Sequence, residues 1–282
     1  MTDILNFTSN IFRNIILILT KETSQNQLKL LLTYLKLNLK FLFLTKILNI
    51  KIYNDTIFGL KINVLNYPAF IYMFEEIFIR GDYYFIAKTD APLIIDCGSN
   101  IGVSLLFFKK LYPKSKIIAF EPDKKAYGVL EKNVKVNNFI NVELFNKAVS
   151  NKNGTINFYH NPQEPGSLIM SIKMERAYKT HTKAESVLLS NFIKGAHIDF
   201  LKMDVEGAED LVIKDLSKKN KLRLVNEMVI EYHHHIKAGE DNLSEILKIL
   251  EENSFGYQIS TSEKATFKKG KFQDVLIYAY KK

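Results

Sequence analysis

The chain has 282 residues, 47% of them hydrophobic and 24% charged, which excludes a wholly disordered or collagen-like polymer and allows one large domain with an extension. Its 39 basic residues against 30 acidic ones give a formal charge of +9; nucleic acid, an anionic membrane, a phosphorylated metabolite or a merely lysine-rich solvated surface each accommodates that excess. The one cysteine, Cys97, excludes an internal disulfide and a thiolate metal cluster.

The opening MTDILNF has Asp3 where a secretory leader carries basic residues, and no small-residue cleavage site follows an apolar stretch. With the lone cysteine, this gives the expectation of a cytoplasmic protein. Residues 1–80 read as a mainly helical extension and 81–282 as the main domain. Ile11 to Thr20 (IFRNIILILT) and Leu28 to Leu48 (LKLLLTYLKLNLKFLFLTKIL) are both amphipathic. In the second, Lys29, Thr33, Lys36 and Lys40 form one helical stripe, and leucines and phenylalanines cover most of the remaining circumference. Such helices pack on the main domain, pair with a second copy of the chain, or lie on the inner face of an anionic membrane; residues 8–48 suit each contact. The apolar run Ile62 to Phe74 is too short to cross a bilayer.

Beyond Asp90 apolar runs alternate with helical patterns. Pro92 to Asp96, Lys116 to Phe120, Val142 to Phe145, Gly154 to Tyr159, Ile198 to Met203, Leu224 to Glu231 and Val275 to Tyr280 read as strands. Helices are expected from near Val103, over Asp123 to Asn137, over Ala208 to Leu216 and over Leu243 to Leu250, and this alternation predicts an α/β sheet. The stretch Asn161 to Ala184, with Pro162, Pro165 and Gly166, reads as an insertion or active-site loop.

The strongest local signal is LIIDCGSNIGVSLLF, Leu93 to Phe107. Its strand brings Asp96 to the carboxyl end, Gly98 and Gly102 permit a close backbone turn, and the amides opening the next helix can face a charged ligand. The pattern is G-x-x-x-G, without the glycine that a pyrophosphate requires. Glu121 ends the second strand in IIAFEPD, where a carboxylate accepts hydrogen bonds from both hydroxyls of a ribose. Together these features suggest a nucleoside-containing cofactor lacking a pyrophosphate, against the plainer readings of an exposed Glu121 and a turn that merely joins strand to helix.

Four stretches, IIDCGSNIG (94–102), FEPD (120–123), NVELFNKAVSNKNGTINFY (141–159) and LKMDVEGAE (201–209), make the chain resemble the FkbM family of S-adenosylmethionine-dependent methyltransferases. The resemblance implies a class I methyltransferase fold, Rossmann-like, with a seven-stranded mixed sheet of order 3-2-1-4-5-7-6 preceded here by the helical extension. It also implies methyl transfer to oxygen, often on sugars or secondary metabolites, and a cofactor pocket using Asp96, Gly98, Asn100, Gly102 and Glu121. Asn146 and Ala148 follow the third strand, where the cofactor base would lie; the Asn146 amide either bonds adenine or caps a turn. Tyr83 either closes the methionine side of the pocket or packs in the core, and Cys97 reads as a packed residue rather than a nucleophile.

Two clusters are candidates for the chemistry. Lys202, Asp204 and Glu206 alternate at the end of the fourth core strand, where Asp204 meets the substrate, Glu206 orients it or binds a metal, and Lys202 neutralises an anionic group. Capping of the next helix is the alternative for both acids. The run Glu231-Tyr232-His233-His234-His235 is read as following the fifth core strand, with His233 as proton acceptor and Glu231 holding it or the substrate. If His233 and His235 share a face, they join Asp204 or Glu206 around a divalent ion. A nucleic-acid methyltransferase is the weaker enzymatic reading, since there is no Asn/Asp-Pro-Pro-aromatic motif and no arginine-rich aromatic platform. A noncatalytic cofactor-binding scaffold is the other alternative.

Overall fold

The computed structural model describes residues 2–21, 26–160, 171, 173, 180–236, 242–261 and 273–282, the side chains of residues 2–7 excepted. The chain opens with helices α1 (Thr2–Thr20) and α2 (Gln27–Lys40), the latter started by Asn26, whose side chain accepts from the Lys29 amide. α2 widens into a π-helical stretch, Phe41–Ile47. A hairpin of β1 (Asn54–Ile57) and β2 (Leu60–Asn63) follows, turned by Phe58 and Gly59 at φ of 53° and 89°. Helix α3 (Tyr67–Phe74) then runs into a second π-helical segment, Glu75–Arg80, which Gly81 ends in the left-handed region. The mainly helical extension therefore contains a strand pair as well.

The main sheet is laid down by β3 (Leu93–Cys97), α4 (Val103–Leu111), β4 (Lys116–Phe120), α5 (Lys124–Val136) and β5 (Val142–Phe145). A side sheet of β6 (Ala148–Ser150), β7 (Gly154–Tyr159) and β8 (His181–Leu188) interrupts it, in the order β6-β8-β7. The main sheet resumes with β9 (Ile198–Met203), α6 (Glu209–Lys218), β10 (Val225–His234), α7 (Leu243–Glu252), β11 (Phe255–Thr261) and β12 (Gln273–Lys281). Its order is β11-β12-β10-β9-β3-β4-β5, with β12 antiparallel to both neighbours. Numbered within the sheet, this is the expected 3-2-1-4-5-7-6 arrangement. Most of the stretch 161–184 lies outside the described residues, but β8 starts inside it.

Each face of the sheet carries its own core. One buries Leu30, Tyr34, Phe70, Phe74 and Phe78 of the N-terminal region with Leu105, Phe107 and Phe108 of α4. Phe78 meets Phe107 edge-on at 5.2 Å, and Phe85 stacks on Phe200 of β9 at 4.4 Å. The other face packs α6 and α7 through Val212, Ile213, Leu216, Ile246 and Leu250. The lysine stripe of α2 is divided: Lys36 and Lys40 pair with Asp55 of the hairpin at 2.7 and 3.0 Å, whereas Lys29 is exposed. Leu30, Tyr34 and Leu37 face the core, and Leu28, Leu32, Leu39, Phe43 and Ile47 face outward. Among the described residues, no helix is long and apolar enough to cross a membrane.

Candidate active site

The glycine turn sits at the carboxyl ends of β3, β4 and β9, where an open α/β sheet forms its crevice. Gly98 and Ser99 donate their amides to the Phe120 carbonyl, at 3.0 and 2.9 Å. Gly98 holds φ +85°, and an added Cβ there would stand 1.9 Å from the carbonyl oxygen of Asp204, so only glycine lets the β3 turn meet the end of β9. Gly102, at φ +89°, opens α4. Asp96 is fully buried and accepts from Ser104 Oγ at 2.5 Å, which fastens the strand to α4.

Glu121, 3% exposed, accepts from the Asn100 amide and the Asp123 amide, both at 2.8 Å. Burial pushes its carboxyl up to about 8 against the opposing pull of those amides. The side chain thus shapes the turn, and each carboxylate oxygen keeps accepting capacity for a ribose hydroxyl. Asn146 Nδ2 donates to the carbonyls of Glu121 and Pro122 at 2.8 and 3.2 Å, which is the turn-capping alternative. Ala148 is buried at the start of β6. Cys97 is buried, its thiol pushed well up by burial and by Asp96, as a packed residue requires.

Lys202 ties the turn to the acidic cluster. Its ammonium, 3% exposed, donates to the Gly98 carbonyl and lies 3.3 Å from Asp204 Oδ2 and 3.5 Å from Asp96 Oδ1. Burial alone would lower its pKa, but Asp204, Asp96 and Glu231 outweigh burial and hold it above the usual lysine value. Its Nζ also stands 5.3 Å from the Tyr83 ring centroid. Tyr83, itself buried, contacts Glu231 through its hydroxyl at 3.5 Å. Glu231 is pushed well up by burial and by the neighbouring Asp204, Glu76 and Asp274.

β10 reaches His234, so Glu231 to His234 lie within the strand rather than after it. The antiparallel ladder with β12 carries the pairing that far, setting His234 opposite Gln273 and His233 opposite Asp274. His233, 3% exposed, places Nδ1 2.8 Å from Glu209 Oε1, and Glu209 also accepts from the Gly207 amide. His233 Nε2 faces Glu206 Oε2 at 3.4 Å, Asp274 Oδ1 at 3.8 Å and Asp204 Oδ1 at 3.9 Å. Glu206 takes φ +57° and Gly207 +102°, a turn that aims the Glu206 carboxylate back toward the histidine. Helix α6 has no side-chain N-cap, so Asp204 and Glu206 are not cap residues. His235 does not join the histidine face: the strand has ended, its φ is +57°, and its ring lies 3.7 Å from that of His234.

Three groups in this neighbourhood were not singled out in the sequence. Glu209 lies within the LKMDVEGAE motif but is the third of its three acids, and only the fold shows which acid meets His233 Nδ1. Asp274 is named by the β10–β12 register, which sets it opposite His233, 41 positions earlier in the chain. Glu76 comes from the N-terminal region; it pairs with Arg80 at 2.6 Å, and burial, opposed by Arg80, pushes its carboxyl up to about 7.

The strand order and this turn, with a buried carboxylate at the end of the second sheet strand, define a class I S-adenosylmethionine-dependent methyltransferase. Residues 96–259, more than half of the chain, match the Methyltransferase FkbM domain, and the chain belongs to that family. It is 28% identical over 191 residues to methyltransferase sdnD of Sordaria araneosa, covering 57% of this chain and 73% of that protein. It is 29% identical over 138 residues to the 2-O-methyltransferase NoeI of Sinorhizobium fredii, covering 43% and 56%. A crystal structure of an FkbM methyltransferase from Methylobacillus flagellatus aligns at TM-score 0.45 and 18% identity, over 70% of this chain and 45% of that one.

Proposed function

We propose that the protein transfers a methyl group from S-adenosylmethionine to a hydroxyl of a sugar, glycan or related metabolite. The observation that carries this reading is the Glu209–His233 pair beside Asp204 and Glu206, at the carboxyl ends of β9 and β10 and joined to the glycine turn through Lys202. S-adenosylmethionine supplies the electrophilic methyl carbon, and the chain must align a hydroxyl and dispose of its proton. Glu209 holds the imidazole, and the Asp204–His233 pair offers a proton acceptor to the hydroxyl. Asp96, Gly98, Asn100, Gly102 and Glu121 form the donor side of the pocket; Tyr83 and Glu231 wall the side toward the cluster. The similarity to NoeI, a 2-O-methyltransferase, supports oxygen as the acceptor atom.

Incubation with isotopically labelled methyl donor and a panel of glycans, nucleotide sugars, lipid-linked saccharides and RNA should place label on carbohydrate oxygen. Label located by mass spectrometry on an RNA base would reject the acceptor class, and cofactor binding without transfer to any hydroxyl would favour a scaffold. For the N-terminal region, the outward leucines and phenylalanines beside exposed Lys29 support contact with an anionic membrane surface. That contact goes with a cytoplasmic protein peripheral to the membrane.

A further inference from the structure

We infer that Tyr72 is the platform on which a sugar ring of the acceptor stacks, with Arg80 bracing it from behind and Glu76 taking its hydroxyl. The inference rests on the O-methyltransfer reading of the same site. Within residues 67–80 the other aromatic side chains, Tyr67, Phe70, Phe74 and Phe78, are all buried. Tyr72, Glu76 and Arg80 recur four apart on the side turned away from that core, and Glu76 and Arg80 pair there at 2.6 Å.

A single exposed ring needs no explanation by itself. Tyr72 differs in how it is held. The residue is 47% exposed, yet its hydroxyl end is packed: it donates to Glu76, and burial, with the charges of Glu76 and Glu231, pushes the phenol up. The Arg80 guanidinium stands over the ring, 5.8 Å from its centroid, and is itself fixed by Glu76 and by Asp82 at 3.1 Å. Exposure therefore belongs to the ring rather than to the hydroxyl, and the ring is oriented before any ligand arrives.

The platform stands on the outer part of the wall that closes the acidic cluster. Asp82 leads to Tyr83, whose hydroxyl meets Glu231 at 3.5 Å, and Glu76 lies in the fields of Glu231 and Asp204. An acceptor hydroxyl brought to Asp204 and His233 carries the rest of its sugar past Glu231 and Glu76 toward Tyr72. A pyranose has a face of C–H groups and a rim of hydroxyls; the tyrosine ring suits the first, and the two carboxyl groups suit the second. Glu76, Asp82, Asp204 and Glu231 outnumber Arg80 and Lys202 along this wall, which disfavours a phosphate or a uronate, so the sugar is neutral or amino-bearing. Tyr72 and Arg80 lie outside residues 96–259, so the family signature does not encode this platform.

The chain has no tryptophan, so Tyr72→Trp places a single indole reporter at the position while keeping a ring to stack on. With S-adenosylhomocysteine bound, the emission of this full-length variant should change saturably with the methyl glycosides of glucose, galactose and glucosamine. Glucuronate should act at least ~10-fold more weakly. In labelled-methyl transfer, Tyr72→Ala should raise the KM for a sugar acceptor ~2–10-fold with kcat nearly unchanged, and Tyr72→Phe should stay close to wild type. Tyr53→Ala, at an exposed tyrosine ahead of the β1–β2 hairpin, should alter neither constant. S-adenosylhomocysteine affinity should be the same in all four variants. Emission unmoved by every sugar, a wild-type KM in Tyr72→Ala, or a loss of S-adenosylhomocysteine affinity in Tyr72→Ala overturns the platform. Emission that answers to adenylate or uridylate but not to the sugars assigns the ring to a nucleobase and overturns it as well. Sugar binding at the ring without label on any sugar oxygen leaves the platform standing and rejects the O-methyltransfer reading; label on sugar oxygen with Tyr72→Ala unchanged does the reverse.

Discussion

Replacing Gly98 by alanine tests how the donor turn is held against the acidic cluster, because two separate costs meet there. Alanine at φ +85° carries left-handed strain of about 1–2 kcal/mol. Its Cβ would also stand 1.9 Å from the Asp204 carbonyl oxygen, about 1 Å inside the 3.0 Å that real Cβ atoms respect, and the obstacle is backbone. β3 and β9 must therefore separate at the point that positions both the turn and Asp204; a displacement near 1 Å costs on the order of 100-fold in turnover where geometry controls the reaction. Two other glycines isolate the terms. Gly59 has φ +89° with nothing near its absent Cβ, so Gly59→Ala should show the strain alone, a melting temperature lower by roughly 2–8 °C. Gly128 lies inside α5 with open space and no left-handed φ, so Gly128→Ala should stabilise by about 0.5–1 kcal/mol. Thermal melts and calorimetric titration with S-adenosylhomocysteine read all three. If Gly98→Ala melts with Gly59→Ala and keeps wild-type affinity, the close approach to Asp204 does not hold the turn.

Glu121→Ala should weaken S-adenosylhomocysteine binding by about 1.5–3 kcal/mol in calorimetry, through the ribose contact and the freed Asn100 amide. Because burial raises the Glu121 carboxyl from 4.5 to about 8, the folded chain holds that proton over a window where the unfolded chain releases it. Its stabilisation is full below about pH 4.5 and is lost as pH rises through about 8, so denaturant titrations of cofactor-free protein should show a falling stability that Glu121→Gln flattens. Glu76, raised to about 7 by burial, adds to the slope in the same direction. His233→Ala should lower turnover far more than S-adenosylhomocysteine affinity; equal turnover would remove His233 from the reaction. Sedimentation with liposomes should increase with anionic lipid, decrease with salt, and fall in Leu32→Asp, whose side chain faces outward from α2; no binding at low salt would remove the membrane contact.

The elements legible in the sequence are those whose burial is written locally. LIID, KIIAF and IDFLKM are predominantly apolar because parallel strands are covered on both faces, and the glycines after the first mark its turn. β11 was not anticipated because FGYQIST is buried only at Phe255 and Gly256 and is otherwise half-buried or exposed at the sheet edge. The three-residue β6 owes its existence to pairing with β8 rather than to its own composition. In the site, Asp204, Glu206 and His233 were readable as chemistry-bearing residues in short motifs. That they meet was not, since it depends on a left-handed turn at Glu206 and on which residue of β12 lies opposite His233. The end of β10 is hidden for the same reason: His233 and His234 do not look like a strand interior until β12 supplies their ladder.

Glu76 and Asp274 both fall outside residues 96–259, the part of the chain that carries the family signature. Glu76 stands on a π-helical segment rooted in the N-terminal core, and Asp274 on a strand inserted between two others. The acidic cluster thus takes Glu76 and Asp274 from the two flanks of that signature, while Asp204, Glu206, Glu209, Glu231 and His233 lie within it. Substitutions at either flank can change the charge lining the cluster while the glycine turn, Glu121 and Lys202 stay as they are. On the proposed O-methyltransfer reading, exchanges confined to these two flanks would alter the surroundings of the acceptor without touching the turn that faces the methyl donor.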